Sequence, residues 1–240
     1  MKAKARHDPK QNEFAATTMQ AIGWVTAHRE RTAAVALGAV AVVALAGGYA
    51  WWRQSTANAA GALLGAAAAI AQSPIAPAPT VPGAAQQSGT FPTESARLDA
   101  ALAAYEQVMT EYPGTDAALT ARYAIGTALL DAGRAAEAEQ AFDADIADAG
   151  SSIYGPLARL GRGQVLVAQQ KFDDAIALFT ELSADRSSQL PLDGVLIQLA
   201  RASSRAGRTD DARAAFRRIV DEFPASTYVA EARQELARLG

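Results

Sequence analysis

Two pairs of adjacent aspartates are candidates in this chain for side chains with a catalytic or metal-binding role. Asp173 and Asp174 lie in the stretch "KFDDAIALF", and Asp210 and Asp211 follow 37 residues later. Neighbouring carboxylates can serve as general acid and base, ligate a metal ion, or begin a helix. Glu137 occupies the equivalent position one period of 37 residues earlier. Because a catalytic pair would not be expected to recur at a fixed interval, we interpret these acids as helix starts.

Other reactive side chains are scarce. The chain has no cysteine, and its two histidines, His7 and His28, both lie within the first 31 residues. The rest must therefore function without a thiol or an imidazole, the commonest groups in nucleophilic and acid–base catalysis. No P-loop, G-x-G-x-x-G, G-x-S-x-G or calcium-loop motif occurs. We predict a protein that is not an enzyme, with no catalytic residues, no cofactor and no metal site.

The charge distribution argues against nucleic acid as a partner. The formal net charge is −3, yet the first 31 residues carry six basic and three acidic residues. The rest of the chain has 16 basic against 22 acidic residues. An acidic body lacks the clustered lysines and arginines that neutralise phosphates. We expect a basic tail over residues 1–31 and no nucleic-acid binding.

A transmembrane helix is predicted over residues 32–53. Its run "AAVALGAVAVVALAGGYAWW" has no charge over 20 residues, and at about 1.5 Å per residue it spans the ~30 Å hydrocarbon core of a bilayer. A tyrosine and two tryptophans cluster at one end, where aromatic rings prefer the interface. Arg29 and Arg31 precede the run, whereas the next basic residue after Arg53 is Arg97. The positive-inside rule therefore places the tail in the cytoplasm and the remainder outside.

A cleaved signal peptide is the alternative to a membrane anchor. The residues "ANAA", Ala57–Ala60, resemble an A-x-A cleavage site. However, the apolar part of a signal peptide runs for about 7–15 residues, and this one is longer and follows a long basic segment. The membrane anchor is therefore the favoured interpretation, with cleavage left open.

Beyond the apolar run the sequence divides into three parts. Residues 54–72 contain no helix breaker stronger than glycine and are predicted to continue the helix, as the first helix of a first repeat. Residues 73–93 hold five prolines together with glycine, serine and glutamine, and are predicted to form an insertion or linker. Residues 94–240 are predicted to form helical repeats.

These repeats have a period of 37 residues. Within each unit, apolar residues at helical spacing precede a turn and then recur after it, which indicates two helices per unit. We predict an all-α fold with about four helix pairs in an α-solenoid and a C-terminal capping helix. Two positions define the register, which we call the alanine column and the aromatic column. The alanine column is Ala101, Ala138, Ala175 and Ala212, and the aromatic column is Tyr105, Phe142, Phe179 and Phe216.

The pattern resembles the tetratricopeptide repeat. In "GRTDDARAAFRRIVDEFP" the family's turn glycine, small residue, aromatic residue and closing proline correspond to Gly207, Ala212, Phe216 and Pro224. The stretch "QKFDDAIALF" matches as well, with Gln170 in place of the turn glycine. The period of 37 exceeds the family's usual 34. The resemblance implies a solenoid that binds other proteins.

The resemblance also implies a set of partner-binding residues. In this family the first helix of each unit lines the concave face, and transferring that register gives three columns. One column contains Tyr123, Leu160 and Ile197; the second contains Thr127, Gln164 and Arg201; the third contains Leu130 and Val167. The same register leaves an ordinary core role open for Leu160 and Ile197. The lysine, asparagine and arginine set with which some members hold a peptide's terminal carboxylate is missing, so an apolar or extended polypeptide is the favoured ligand.

The whole arrangement resembles bacterial membrane-anchored periplasmic proteins of the family that includes the ancillary subunit of the Sec translocon. That resemblance implies a single-pass protein of the inner membrane that scaffolds contacts with translocon subunits, periplasmic chaperones or emerging polypeptides. The alternative is an adaptor for outer-membrane assembly or for cell-wall and division machinery. The closures "EYPGT" and "EFPAS" resemble those of outer-membrane assembly lipoproteins, but this chain lacks the cysteine that those proteins carry as a lipid anchor.

Overall fold

The computed structural model describes residues 29–78, 86–148, 152–185 and 188–240. It divides into two units, Met1–Ser55 and Thr56–Gly240. Over the described ranges the chain forms nine helices and no strand. The helices are α1 (Arg29–Ala71), α2 (Glu94–Glu111), α3 (Asp116–Asp131), α4 (Ala135–Asp148), α5 (Tyr154–Ala168), α6 (Phe172–Ala184), α7 (Leu192–Arg205), α8 (Thr209–Glu222) and α9 (Val229–Leu239). The predicted all-α class is confirmed, with a long apolar helix followed by helical repeats.

Helix α1 runs for 43 residues. Every side chain over residues 33–52 is exposed, and Leu45 and Trp51 are each 74% exposed. Exposed apolar side chains along a helix of this length suit a lipid environment, where the helix satisfies its own backbone hydrogen bonds. The helix is long and apolar enough to cross a membrane, although a signal sequence near an N-terminus meets the same criteria. Residues 1–28 of the predicted basic tail lie outside the described residues.

Helix α1 also contributes to the core of the second unit. Ala60 and Ala67 are buried, and Ala67 packs with Ala101 and Tyr105 of α2. The alanine side chains let the two helices approach closely. The last turns of α1 therefore pack with α2 as one helix of a repeat would.

The segment between α1 and α2 is tied together at its two ends. The backbone N–H of Ala76 donates to the carbonyl of Phe91 at 2.9 Å, and the N–H of Phe91 donates to the carbonyl of Pro74 at 3.1 Å. The Gln86 side chain donates to the Ala76 carbonyl at 2.9 Å. Residues 79–85 of the predicted insertion lie outside the described residues. The described ends bring the last turn of α1 close to the start of α2.

Helices α2 to α9 form the repeat region. Each contacts the next one along the chain, and α3 also contacts α5, as α5 contacts α7. First helices of successive units therefore lie side by side, which is how helix pairs stack into a solenoid. Helices α2 and α3 start where the sequence provides caps, since the hydroxyls of Thr93 and Thr115 accept hydrogen bonds from Ala96 N–H and Ala118 N–H.

The alanine and aromatic columns form the core of each helix pair. Residues of the alanine column are at most 1% exposed, and those of the aromatic column at most 6%. The ring of Phe142 lies against two glycines, Gly126 of α3 and Gly161 of α5. A Cβ atom at Gly126 would lie 2.7 Å from Phe142 Cε1, well inside van der Waals contact. The glycines are therefore needed so that a full aromatic ring fits between the helices.

The turns within the last three helix pairs share one backbone geometry. Gly133, Gln170 and Gly207 have φ angles of 75°, 61° and 74°. The residue after each donates its N–H to the carbonyl five residues earlier, at 2.8–2.9 Å, as in a Schellman motif. Among the described residues Gln170 is the one non-glycine with a positive φ. It keeps the geometry of the turn at a cost of about 1–2 kcal/mol relative to glycine.

Candidate functional site

The paired acids lie at helix starts, as the sequence predicts. Asp173 and Asp174 are in the first turn of α6, and the Asp173 side chain is 87% exposed and lies 3.4 Å from the guanidinium of Arg208. Arg208 also contacts Asp211 at 2.7 Å. Neither acid caps α6 through its side chain, so their contribution is to the helix dipole and to exposed ion pairs, which are weak. In the described ranges no group of three or more metal-ligating side chains comes together.

On α3, the residues predicted to face a partner are half-buried. The ring centroid of Tyr123 lies 5.7 Å from that of Phe142, so this side chain has one face in the core. The Thr127 hydroxyl donates to the Ala124 carbonyl at 2.9 Å. Leu130 packs at the edge of the core around Phe142. Each side chain therefore keeps part of its surface available.

On α5, the equivalent residues have the same partial exposure. Leu160 and Val167 pack against the core around Phe179, and Gln164 lies one turn after Leu160 and is half-buried. Helix α5 contacts α3 directly. The six predicted residues on these helices thus occupy equivalent positions of two neighbouring helices. We call this set, Tyr123, Thr127, Leu130, Leu160, Gln164 and Val167, the α3–α5 surface.

On α7, the two predicted residues are held by the rest of the fold. Ile197 is fully buried in the last core cluster. Arg201 donates two hydrogen bonds to Glu231 of α9, at 2.8 and 2.6 Å, and its guanidinium lies 6.0 Å from the centroid of the Tyr228 ring. These bonds raise the pKa of Arg201 and lower that of Glu231. The capping helix α9 therefore already binds the guanidinium of Arg201, which is the group that the second predicted column would offer to a partner on α7.

A buried acid in α4 lies outside every predicted site. Asp145 is 0% exposed, and neither carboxyl oxygen has a hydrogen-bond partner among the described residues. Burial raises its pKa from 3.8 to about 6, against the attraction of Arg122, while Asp148 adds repulsion. The 37-residue register could have identified Asp145 as a buried acid. The equivalent residues of the other units are apolar and at most 2% exposed: Val108, Leu182 and Ile219.

A cavity was also missed by sequence reasoning. It has a volume of about 690 Å³ and lies between the end of α1, the first half of α2 and the last half of α3. Ala71, Leu98, Ala101, Ala124 and Ala128 provide apolar lining. Its polar lining includes Arg97, Tyr105, Thr127 and Arg134. One residue of the α3–α5 surface, Thr127, thus also lines this cavity.

Comparison with known proteins identifies the repeat. A tetratricopeptide repeat model matches residues 166–236, and a second tetratricopeptide repeat model matches residues 94–153 and 123–191. Together they cover more than half of the chain. The chain belongs to the tetratricopeptide repeat family. The alanine and aromatic columns are thus the family's packing positions, and the fold is that of a protein-interaction scaffold.

Similar solved structures are distant. Two crystal structures of a putative kinesin light chain with nearly identical TPR-like repeats, from Podosopora anserina, are 16% identical to this chain. Their TM-scores are 0.51 and 0.50, over 61% of this chain and 78% and 79% of those chains. A tetratricopeptide repeat protein from Parabacteroides merdae is 13% identical with a TM-score of 0.47, over 61% of this chain and 55% of that one. Comparison with curated proteins gave no match. The kinesin light chain likeness shows the fold alone.

Proposed function

We propose that this chain is a non-enzymatic, membrane-anchored tetratricopeptide scaffold. It presents its repeats on the periplasmic side of the bacterial inner membrane and serves protein translocation and chaperone networks. The proposal rests on one observation: the same chain contains an exposed apolar helix and a tetratricopeptide domain. The basic residues before that helix, and the lack of any lysine or arginine between Arg53 and Arg97, support this orientation.

We place the partner on the α3–α5 surface. Four of its six side chains are apolar or aromatic, and all six are half-buried. A surface of this kind favours an extended polypeptide with apolar side chains over a charged terminus, because it offers little charge to pair with a carboxylate. Arg201, the one cation among the predicted residues, is bound to Glu231. Suitable partners are emerging polypeptides, periplasmic chaperones and translocon subunits.

Site-specific photocrosslinking in intact cells tests this function. A photoreactive residue replaces Leu160 or Gln164 on the α3–α5 surface, and a matched control replaces the exposed Asp174 on α6. Crosslinks from the first two positions to translocon subunits, secretory chaperones or nascent chains, and none from the control, support the proposal. Crosslinks only to outer-membrane assembly or wall-synthesis proteins refute the translocation role and favour the alternative adaptor.

Topology can be measured independently of the partner. Because the native chain has no cysteine, Ser204→Cys and Ala3→Cys each introduce one thiol. A membrane-impermeant maleimide applied to intact spheroplasts should label the first and spare the second. The reverse pattern contradicts the proposed orientation. Release of the Ser204→Cys protein into the periplasm as a shortened chain shows that the apolar helix is a cleaved signal sequence.

A further inference from the structure

Two positions that line the cavity between α1, α2 and α3 carry smaller side chains than the equivalent positions of the next interface. Ala128 and Ala132 line it, and 37 residues later the equivalent positions are Val165 and Gln169. Val165 is fully buried, and Gln169 donates a hydrogen bond to Glu139. Two alanines in place of a valine and a bonded glutamine leave space between the helices. The resulting volume, about 690 Å³, is within the usual range of small-molecule sites, about 300–1,000 Å³.

Tyr105 places a hydroxyl at this cavity that the core does not require. The other three residues of the aromatic column are phenylalanines, so packing alone is satisfied without the oxygen. Tyr105 is 6% exposed and lines the cavity, and its hydroxyl has no hydrogen-bond partner among the described residues. The oxygen is not one of the buried polar atoms that lack a partner, so it is open to solvent at the cavity wall. A ligand in the cavity can therefore accept its hydrogen bond.

Arg97 supplies an uncompensated positive charge to the same cavity. It is half-buried, and its hydrogen bond to the Ser73 carbonyl is long, 3.3 Å. In the described part of the chain no carboxylate lies within ion-pair distance of it. Arg134, which also lines the cavity, is held by Glu137 at 2.6 Å and Asp99 at 3.9 Å. A half-buried guanidinium without a carboxylate partner is a binding group for an anion.

The acids of the lining do not cancel this charge. Glu94 and Asp131 both line the cavity, and both are exposed to solvent. Water screens exposed carboxylates, whereas a half-buried guanidinium is screened less. A negative group beside Arg97 is therefore favoured.

We propose that this cavity binds a small amphipathic carboxylate. Arg97 holds the carboxylate, and the Tyr105 hydroxyl donates a hydrogen bond to it. The apolar part of the ligand packs on Leu98, Ala101, Ala124 and Ala128. This site shares Thr127 with the α3–α5 surface, but the carboxylate site does not depend on the proposed function.

A single reporter thiol tests the site in the full chain, reconstituted in lipid nanodiscs. Ala128→Cys places the one thiol of the protein in the cavity lining, and Ser204→Cys places a control thiol on the exposed face of α7. The probe is 3-phenylpropionate, which combines an aromatic body with a carboxylate. The charge control is 3-phenylpropylammonium, which has a body of similar size and the opposite charge. The measurement is the rate of maleimide labelling as a function of probe concentration.

The expected result is saturable protection of the Ala128→Cys thiol by 3-phenylpropionate, with no protection of the Ser204→Cys thiol and none by the ammonium probe. Adding Arg97→Gln should raise the half-protecting concentration roughly tenfold or more, as for a lost charge-assisted hydrogen bond. Adding Tyr105→Phe should raise it roughly threefold to tenfold, since phenylalanine fits this column in the other units. Circular dichroism checks that each variant remains folded.

Three outcomes overturn the proposal. They are no protection by 3-phenylpropionate, equal protection by the two probes, and equal protection of the two thiols. If a folded Arg97→Gln variant has an unchanged half-protecting concentration of 3-phenylpropionate, the carboxylate site is ruled out. The reason is that the guanidinium is the group that defines the ligand class. The probe comparison uses the Ala128→Cys chain alone, so it decides the question even if a second substitution disturbs folding.

Discussion

Replacing Asp145 with leucine should stabilise the second helix pair at neutral pH. Asp145 is fully buried in α4 without a hydrogen-bond partner among the described residues. The equivalent position of the next unit is Leu182, which is 2% exposed. Leucine therefore fits this position in a closely related environment, and Asp145→Leu removes a buried charge while extending the apolar core.

The magnitude follows from the pKa. Burial raises the pKa of Asp145 from 3.8 to about 6, a difference of about two units, and each unit corresponds to about 1.4 kcal/mol. The ionised carboxylate therefore costs about 3 kcal/mol at pH 7. Burying a leucine adds about 1.5–3 kcal/mol, from which crowding of the larger side chain subtracts about 1–3 kcal/mol. The expected net gain at pH 7 is about 3 kcal/mol.

The sign of the pH dependence distinguishes this cause from simple packing. A carboxyl whose folded pKa is raised binds its proton more tightly in the folded state. The protonated Asp145 carboxyl contributes stability that is fully present below the unfolded pKa, near 4. That stability is lost as the pH rises through the folded pKa, about 6. The advantage of Asp145→Leu should therefore be small at pH 4 and reach its full size above pH 6.

Equilibrium urea unfolding between pH 4 and pH 7, followed by circular dichroism, measures this difference. Asp145→Asn is the matched control, since it removes the charge while keeping the size and the polarity of the side chain. Its difference from the native chain should show the same pH dependence with a smaller gain at pH 7. An advantage of Asp145→Leu that is equal at all pH values, or a loss of stability at pH 7, refutes the reasoning.

Two further predictions concern packing and the end of the solenoid. Gly126→Ala should destabilise the protein by about 1–3 kcal/mol, because the new Cβ would lie 2.7 Å from the buried Phe142 ring. In the matched control Gly194→Ala, the nearest atom to the new Cβ would be 4.0 Å away. Thermal unfolding should therefore show that this variant gains about 0.5–1 kcal/mol of stability. If both variants lose stability, the argument about Gly126 is refuted. Glu231→Gln should cost about 0.5–1 kcal/mol and increase amide exchange in α9, since it breaks the bidentate bond to Arg201; unchanged exchange would show that α9 is held by its apolar contacts alone.

The repeat architecture could be predicted from the sequence because each unit is stabilised locally and by its neighbours. A small residue and an aromatic residue at fixed spacing suffice to specify two helices in contact, and both recur every 37 residues. The turn positions followed from the same register. Even Gln170, which departs from the glycine pattern, adopts the left-handed φ of that position, since the Schellman hydrogen bonds on either side fix it.

The predicted surface residues show where register alone is insufficient. Eight residues share equivalent positions on the first helices, but the structure treats them in two ways. Those on α3 and α5 stay half-buried, whereas on α7 Ile197 is enclosed by the last core and Arg201 is bound to Glu231. The difference arises because α9 packs on α8 and shares the last core cluster with Ile197, in the place where the first helix of another unit would stack.

The sequence by itself determined the period, the helix pairs, the turns and the apolar span, because each depends on residues close together in the chain or on composition. Tertiary structure alone decided which equivalent residues remain available, the burial of Asp145 without a partner, and the cavity beside Tyr105 and Arg97. Those features depend on the sizes and charges of side chains that meet across different helices, and such contacts follow from packing in three dimensions.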